Sequence, residues 1–198
     1  MSEIYPKPLA RLIEGFEMYP GIGRKMAQRL AFYTLTMDDD RIAFIADAIA
    51  TAKRDIVFCS ICCNISDKDP CGICMDSRDT SSICVVQSPR DIIAMEKTCE
   101  YQGLYHVLHG LISPMEGVSP EDLRIKELMK RLGPEVREII VATNPSIEGE
   151  ATAMYLSRLI KPLGIRVSRI AHGISVGSDI EFTDEATLIR ALQGRTQL

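Results

Sequence analysis

The chain has 198 residues, 46% of them hydrophobic and 25% charged, with a net charge of −4. That length builds one medium domain or two small ones around a substantial core, and the acidic balance excludes a globally attractive field for nucleic acid, so DNA contact would require a local basic patch. Met1-Ser2-Glu3-Ile4-Tyr5-Pro6 is not a basic segment followed by an apolar one, and no apolar run is long enough to span a bilayer, which predicts a cytoplasmic protein with no membrane attachment.

Leu9, Leu12, Ile13 and Phe16 recur at helical spacing over residues 9–17, predicting a first helix. Pro20 ends it, and Gly21 and Gly23 permit a sharp turn. A second helix is expected from Arg24 to Leu35, with Ala27, Leu30, Ala31 and Thr34 on one face. Asp38, Asp39 and Asp40 form an acidic run suited to cap a third helix over residues 41–53 and to meet its positive end. In that helix Ile42, Ile45 and Ile49 form one stripe, and Ala43, Phe44 and Ala48 extend apolar surface onto another. Such a helix is expected to be buried on more than one side, against a second subunit or against the later part of the chain.

Next comes Phe58-Cys59-Ser60-Ile61-Cys62-Cys63-Asn64, and after a polar, turn-prone loop Cys71-Gly72-Ile73-Cys74. Two Cys-x-x-Cys knuckles offer four soft thiolates at tetrahedral corners, the ligand set of a structural Zn²⁺. Cys59 could pair with Cys63 instead of Cys62, but the matching spacing at both knuckles favours Cys59, Cys62, Cys71 and Cys74. A redox pair and plain buried cysteines are the competing readings. Seven cysteines in all, an odd number, do not make a secreted disulfide framework; Cys84 and Cys99, in apolar surroundings, are expected in the core.

After the knuckles, short β-branched strands alternate with helices. Strands are expected at 82–86, 105–109, 138–143 and 165–171, with a further one at Ile180-Glu181-Phe182. Helices are expected at 89–100, from a Ser119 cap to Leu132, at 148–163 and from Asp184 to Leu192. This alternation predicts a mostly parallel sheet covered on both faces. The fold class is therefore α/β: an N-terminal helical hairpin, a small four-cysteine zinc finger, a parallel sheet with flanking helices and a short C-terminal segment. The expected divisions are 1–55, 56–78, 79–174 and 175–198, the last contributing oligomer contacts.

Three places could carry chemistry. At Pro20-Gly21-Ile22-Gly23, bare N–H groups at the start of the second helix form an anion site. Lys25 and Arg29 share a helix face beside it and Arg24 flanks it, so a phosphate could be held without any base being read. A tight turn with solvated basic residues is the bland alternative. Residues 20–31, from Pro20-Gly21-Ile22-Gly23 through Lys25 to Ala27-Gln28-Arg29-Leu30-Ala31, resemble the helix-hairpin-helix of the RecR family of bacterial recombination mediators. The likeness continues through the four-cysteine motif, Ile83-Cys84-Val85-Val86 opening a Toprim domain, Ala142-Thr143-Asn144-Pro145 with Glu148-Gly149-Glu150, and Arg169-Ile170-Ala171-His172-Gly173. The resemblance implies a ring-like tetramer, or dimer of dimers, that encircles DNA. It also implies work with RecO and RecF in loading RecA onto gapped or single-stranded DNA. It puts Lys25 and Arg29 on DNA-contacting positions, with Gly21, Gly23 and Arg24 in the same turn, and makes Glu148 a contact for RecO.

The second place is the Toprim-like region, where metal-dependent enzymes need an acid after the first strand and an Asp-x-Asp after a later one. Gln87 and Asn144 occupy those strand ends, and Gln87 departs from the glutamate common in the family. Glu148 and Glu150 fall in the first turn of a helix capped by Ser146. A Mg²⁺-dependent nuclease or primase is the enzymatic rival; the reading adopted is non-enzymatic, with no catalytic residue. The third place is the set His106, His109 and His172, which lack a partner at motif spacing and read as core or surface residues.

Overall fold

The computed structural model describes residues 4–196 in two compact units that divide between Ile56 and Val57. In the first unit, α1 (Lys7–Glu17) and α2 (Arg24–Thr34) form a hairpin. Leu9 and Ile13 of α1 are buried against Ala27 and Ala31 of α2, and two alanines at the contact let the helix backbones approach closely. Between them Ile22 N–H donates to Tyr19 O across Pro20 and Gly21. Gly21 has φ +82°, so Pro then Gly occupy the central positions of a type II turn, where only a residue tolerant of positive φ fits. Helix α3 (Asp39–Asp55) carries Asp39 and Asp40 in its first turn and Lys53 and Arg54 in its last, each sign at the favourable dipole end. Asp38 holds the N-cap position but its side chain makes no cap hydrogen bond, so the acidic run acts through charge. Within this single chain α3 has no buried residue: Phe44, Ile45 and Ile49 are exposed, leaving its apolar faces free for the second-subunit contact expected as one of two alternatives.

The second unit opens with strands β1 (Val57–Phe58) and β2 (Ile65–Ser66), an antiparallel pair, and the short helix α4 (Gly72–Met75). Then follow β3 (Asp79–Val86), α5 (Pro89–Glu96), β4 (Gly103–Val107), α6 (Ile125–Lys130), β5 (Glu138–Ala142), α7 (Ile147–Ile160), β6 (Arg166–Arg169) and α8 (Glu185–Gln193). Strands β3 to β6 form one parallel sheet in the order β4-β3-β5-β6. Successive side chains of a strand face opposite ways, and both faces are buried here. Ile83 and Val85 of β3 and Ile139 and Val141 of β5 join one core with Leu128 of α6 and Leu156 and Ile160 of α7. Cys84 and Val86 join another with Ile92 of α5 and Tyr105 and Val107 of β4. The apolar runs in β3 and β5 follow from that two-sided burial.

Four expectations are corrected. Ile180–Phe182 is a 3-10 turn, its backbone engaged locally through Phe182 N–H to Asp179 O and Thr183 N–H to Ile180 O. Ser119 does not cap a helix reaching Leu132; it opens a 3-10 turn, Pro120–Asp122, in which the Asp122 carboxylate accepts from the Ser119 N–H and hydroxyl. Leu123 is then extended and buried, which delays α6 to Ile125. Helix α5 stops at Glu96, and Cys99 is exposed at φ +57°, outside the core. Finally, the second strand ends at Val107; His109 lies beyond it with φ +61°.

His106, on β4, is fully buried. Its Nε2 lies 2.7 Å from Arg124 O, a pure acceptor, and its Nδ1 lies 3.3 Å from Arg131 Nη1, a pure donor. The ring is therefore the neutral tautomer protonated at Nε2. Burial chiefly, with the Arg131 charge added and Glu127 opposing, lowers its pKa to about 4. Above pH ~6.5 neither state carries the proton, and below it the unfolded chain binds one that the native ring refuses, so this residue makes stability fall with acid by about 2 kcal/mol at pH 5. Urea midpoints at pH 7 and pH 5 should differ less for His106→Gln than for the parent chain.

Candidate metal centre and nucleic-acid interface

The sulfurs of Cys59, Cys62, Cys71 and Cys74 all lie within 4.8 Å of one another, and three of the four residues are buried. Cys59 and Cys74 Sγ are 3.9 Å apart and Cys62 and Cys71 Sγ 3.5 Å. A tetrahedral zinc with Zn–S bonds of about 2.3 Å separates its sulfurs by about 3.8 Å, so the set fits the ion. Burial works against the Cys59 thiolate, but the N–H groups of Cys62, Cys71 and Ile61 more than offset it and bring its pKa to about 7. Burial also pushes Cys71 up to about 11, while a hydrogen bond with Cys74 and then burial raise Cys62. Crowded sulfurs that cannot all ionise among themselves are what a divalent cation neutralises.

Cys63 faces away from this set. It sits at φ +62° and is buried among Cys84, Val86, Tyr105 and Val107, in the core between the sheet and α5. Its carbonyl accepts from His109 Nε2 at 2.6 Å, and the Cys62 carbonyl accepts from Val107 N–H at 2.9 Å. The ring of His109 meets Phe58 edge-on at 4.8 Å between centroids. The first knuckle is thus strapped to the end of β4 by two hydrogen bonds and a plug. The role of His109 was missed at the sequence level, since nothing in its spacing announces a partner 46 residues away.

In the first unit the hairpin places Gly23 at the N-cap of α2 with extended backbone and no side-chain cap. Met26 and Ala27 N–H return to Gly23 O; among the described residues the N–H groups of Arg24 and Lys25 find no acceptor. A Cβ added at Gly23 would meet nothing within 4 Å, so this backbone can be approached from outside. Gly23, Arg24, Lys25, Met26 and Arg29 line a concavity of about 550 Å³. Arg24 lies 3.8 Å from Glu17, whereas Lys25 and Arg29 make no ion pair among the described residues. The cationic surplus rests on those two.

At the carboxyl ends of β3 and β5, Gln87 Oε1 accepts the Asn144 N–H at 3.1 Å. Ser146 caps α7 by accepting from Gly149 N–H, and Gly149 is packed so tightly that an added Cβ would strike Asn144 O. Glu150 is held by Arg169 at 2.5 Å and Arg190 at 3.5 Å. Glu148 is half-buried, and its own backbone N–H and the Ser146 hydroxyl hold its carboxyl below the usual range. Among the described residues the cysteine set is the only cluster with metal-ligating geometry, and no helix is long and apolar enough to cross a membrane.

Family models match the chain in order: the RecR helix-hairpin-helix over residues 9–53, the RecR four-cysteine zinc finger domain over 56–76, a Toprim domain over 81–171 and the RecR C-terminal region over 173–196. Three RecR-specific segments in one order around a Toprim domain decide the matter. The chain belongs to the RecR family. It is a DNA-binding protein of recombinational repair, and its RecR finger holds one structural zinc ion on Cys59, Cys62, Cys71 and Cys74. When bound, the ion supplies folding energy, since four protein ligands leave no open position for a substrate.

Cys71→Ser removes one of four ligands and leaves the others crowded. Zinc content by elemental analysis should drop from one ion per chain toward none, with loss of solubility and of cooperative unfolding. A zinc-free variant with unchanged unfolding would show that the ion does not hold the finger.

Proposed function

We propose that this RecR-family chain is a non-catalytic mediator that holds DNA by its phosphates and, together with RecO and RecF, helps load RecA onto gapped or single-stranded DNA. The observation that carries the DNA contact is the start of α2. Two N–H groups without acceptors among the described residues, Gly23 with open space before it, and Lys25 and Arg29 on one face without ion partners among those residues make a phosphate seat. Gly21 shapes the turn and Arg24, shared with Glu17, closes the seat. Nothing in it matches a base edge, so the contact is independent of sequence.

A single such seat on an acidic chain binds weakly. Assembly into a tetramer or dimer of dimers would supply avidity, and the exposed Phe44, Ile45 and Ile49 on α3 support an assembled state, with the C-terminal segment contributing contacts. The partner reading for RecO rests on Glu148, an ionised, half-buried carboxylate on the first turn of α7. The non-enzymatic reading rests on the donor set: Gln87 is neutral and engaged with Asn144, and Glu150 is neutralised by two arginines, so hard carboxylate ligands do not converge there. Nicking of supercoiled plasmid by the pure protein with Mg²⁺ would favour the nuclease alternative.

Lys25→Ala with Arg29→Ala tests the seat. Removing two phosphate contacts should weaken duplex binding and make the slope of log affinity against log salt shallower by about 1.8, with zinc content unchanged. An identical salt titration for parent and variant would rule out the hairpin as the DNA contact.

A further inference from the structure

Strand β6 lies at the edge of the sheet, with β5 as its neighbour. Arg166 N–H donates to Arg137 O and Ile170 N–H to Val141 O, both on the β5 side. Backbone groups alternate sides along a strand, so the N–H and C=O of Val167 and Arg169 point away from the sheet. Among the described residues no other segment bonds to them. Such an edge is a template for one more strand.

Beside it runs a groove of about 540 Å³, between β6 and α7. Ala153, Met154 and Val167 give it an apolar floor, and Arg158, Lys161 and Arg169 a cationic rim. Met154 is 55% exposed, an apolar side chain left uncovered next to unpaired backbone. The acids nearby are already satisfied: Glu138 by Arg166 at 2.6 Å and Glu150 by Arg169 at 2.5 Å. Arg158 and Lys161 have no ion partner among the described residues. Two surplus cations therefore flank the edge, on a chain whose net charge is −4.

We propose that this edge and groove accept an extended acidic segment of a partner protein as an added strand. Its backbone pairs with Val167 and Arg169, an apolar side chain covers Met154, and its carboxylates meet Arg158 and Lys161. A second copy of the chain fits less well, because pairing β6 with itself sets Arg166 and Arg169 against like charges. Nucleic acid also fits less well: it would leave the outward N–H and C=O groups of a strand unmatched and would lie on an apolar floor. Cations on a sheet edge also serve to repel stray strands, and that reading predicts no saturable peptide binding.

The test uses the full-length, zinc-loaded protein and a labelled peptide of about eight residues repeating Asp-Asp-Val, followed by fluorescence anisotropy. Saturable binding is expected, weakened about tenfold or more by Arg158→Glu with Lys161→Glu, two exposed positions outside the DNA seat. A peptide with lysine in place of aspartate should not compete. Amide hydrogen exchange should slow at Val167 and Arg169 when the acidic peptide is bound. The proposal is overturned by any of four results: no saturable binding, equal binding of the lysine peptide, unchanged exchange at both amides, or full displacement by oligothymidylate. Zinc content measured on the double variant establishes that it is folded.

Discussion

Thiolate coordination is what the middle of this chain depends on. Residues between β1 and the start of β3 contain two two-residue strands and a four-residue helix, too little regular structure to bury a core of its own. The cluster of Cys59, Cys62 and Cys71 with Ile73 and Cys74 is nearly all sulfur. Apolar burial on that scale does not offset the conformational entropy of ordering such a segment. The zinc ion makes up the difference, and its effect passes into the sheet through bonds that are not metal bonds: the Cys62 carbonyl to Val107, the Cys63 carbonyl to His109, and the Cys63 side chain in the core. A centre that first resembles chemistry is thus an anchor for a piece of backbone.

The sheet distributes roles by position. Its central strands are buried on both faces and carry no group that reaches a ligand. What can be reached lies at the margins: the carboxyl ends of β3 and β5, where Gln87 meets Asn144, and the outer side of β6. In parallel sheets the carboxyl ends are the usual ligand crevice. Here that crevice is filled by a side-chain amide, a capping serine and a helix packed onto the loop at Gly149. The hairpin of the first unit, by contrast, presents the Arg24 and Lys25 N–H groups, which find no acceptor among the described residues.

Much of this was legible in the residues because it rests on periodicity and spacing. The alternation of Ile83, Cys84, Val85 and Val86 has no polar face, which is the signature of a strand covered twice. The two knuckles gave the ligand set, and the Ser146 cap was legible from its place before Glu148. What stayed hidden depends on tertiary neighbours. Cys63 differs from Cys62 only in the direction its side chain takes once φ turns positive. Ile180 and Phe182 alternate like a strand but have none beside them among the described residues. Leu123 interrupts a helical pattern because the core takes it, and no local signal records that pull. Cys99 ends a helix on an exposed turn, although its composition reads as interior.

Gln87 carries a consequence beyond the absence of a charge. Its amide oxygen ties the ends of two central strands together by a neutral hydrogen bond. A carboxylate in that place would change its hold with acidity, and with whatever divalent ion came near. An amide does neither. The contour of this margin is therefore held by a bond indifferent to charge, and a protein recognising it would meet the same shape in a magnesium-starved cell as in a replete one.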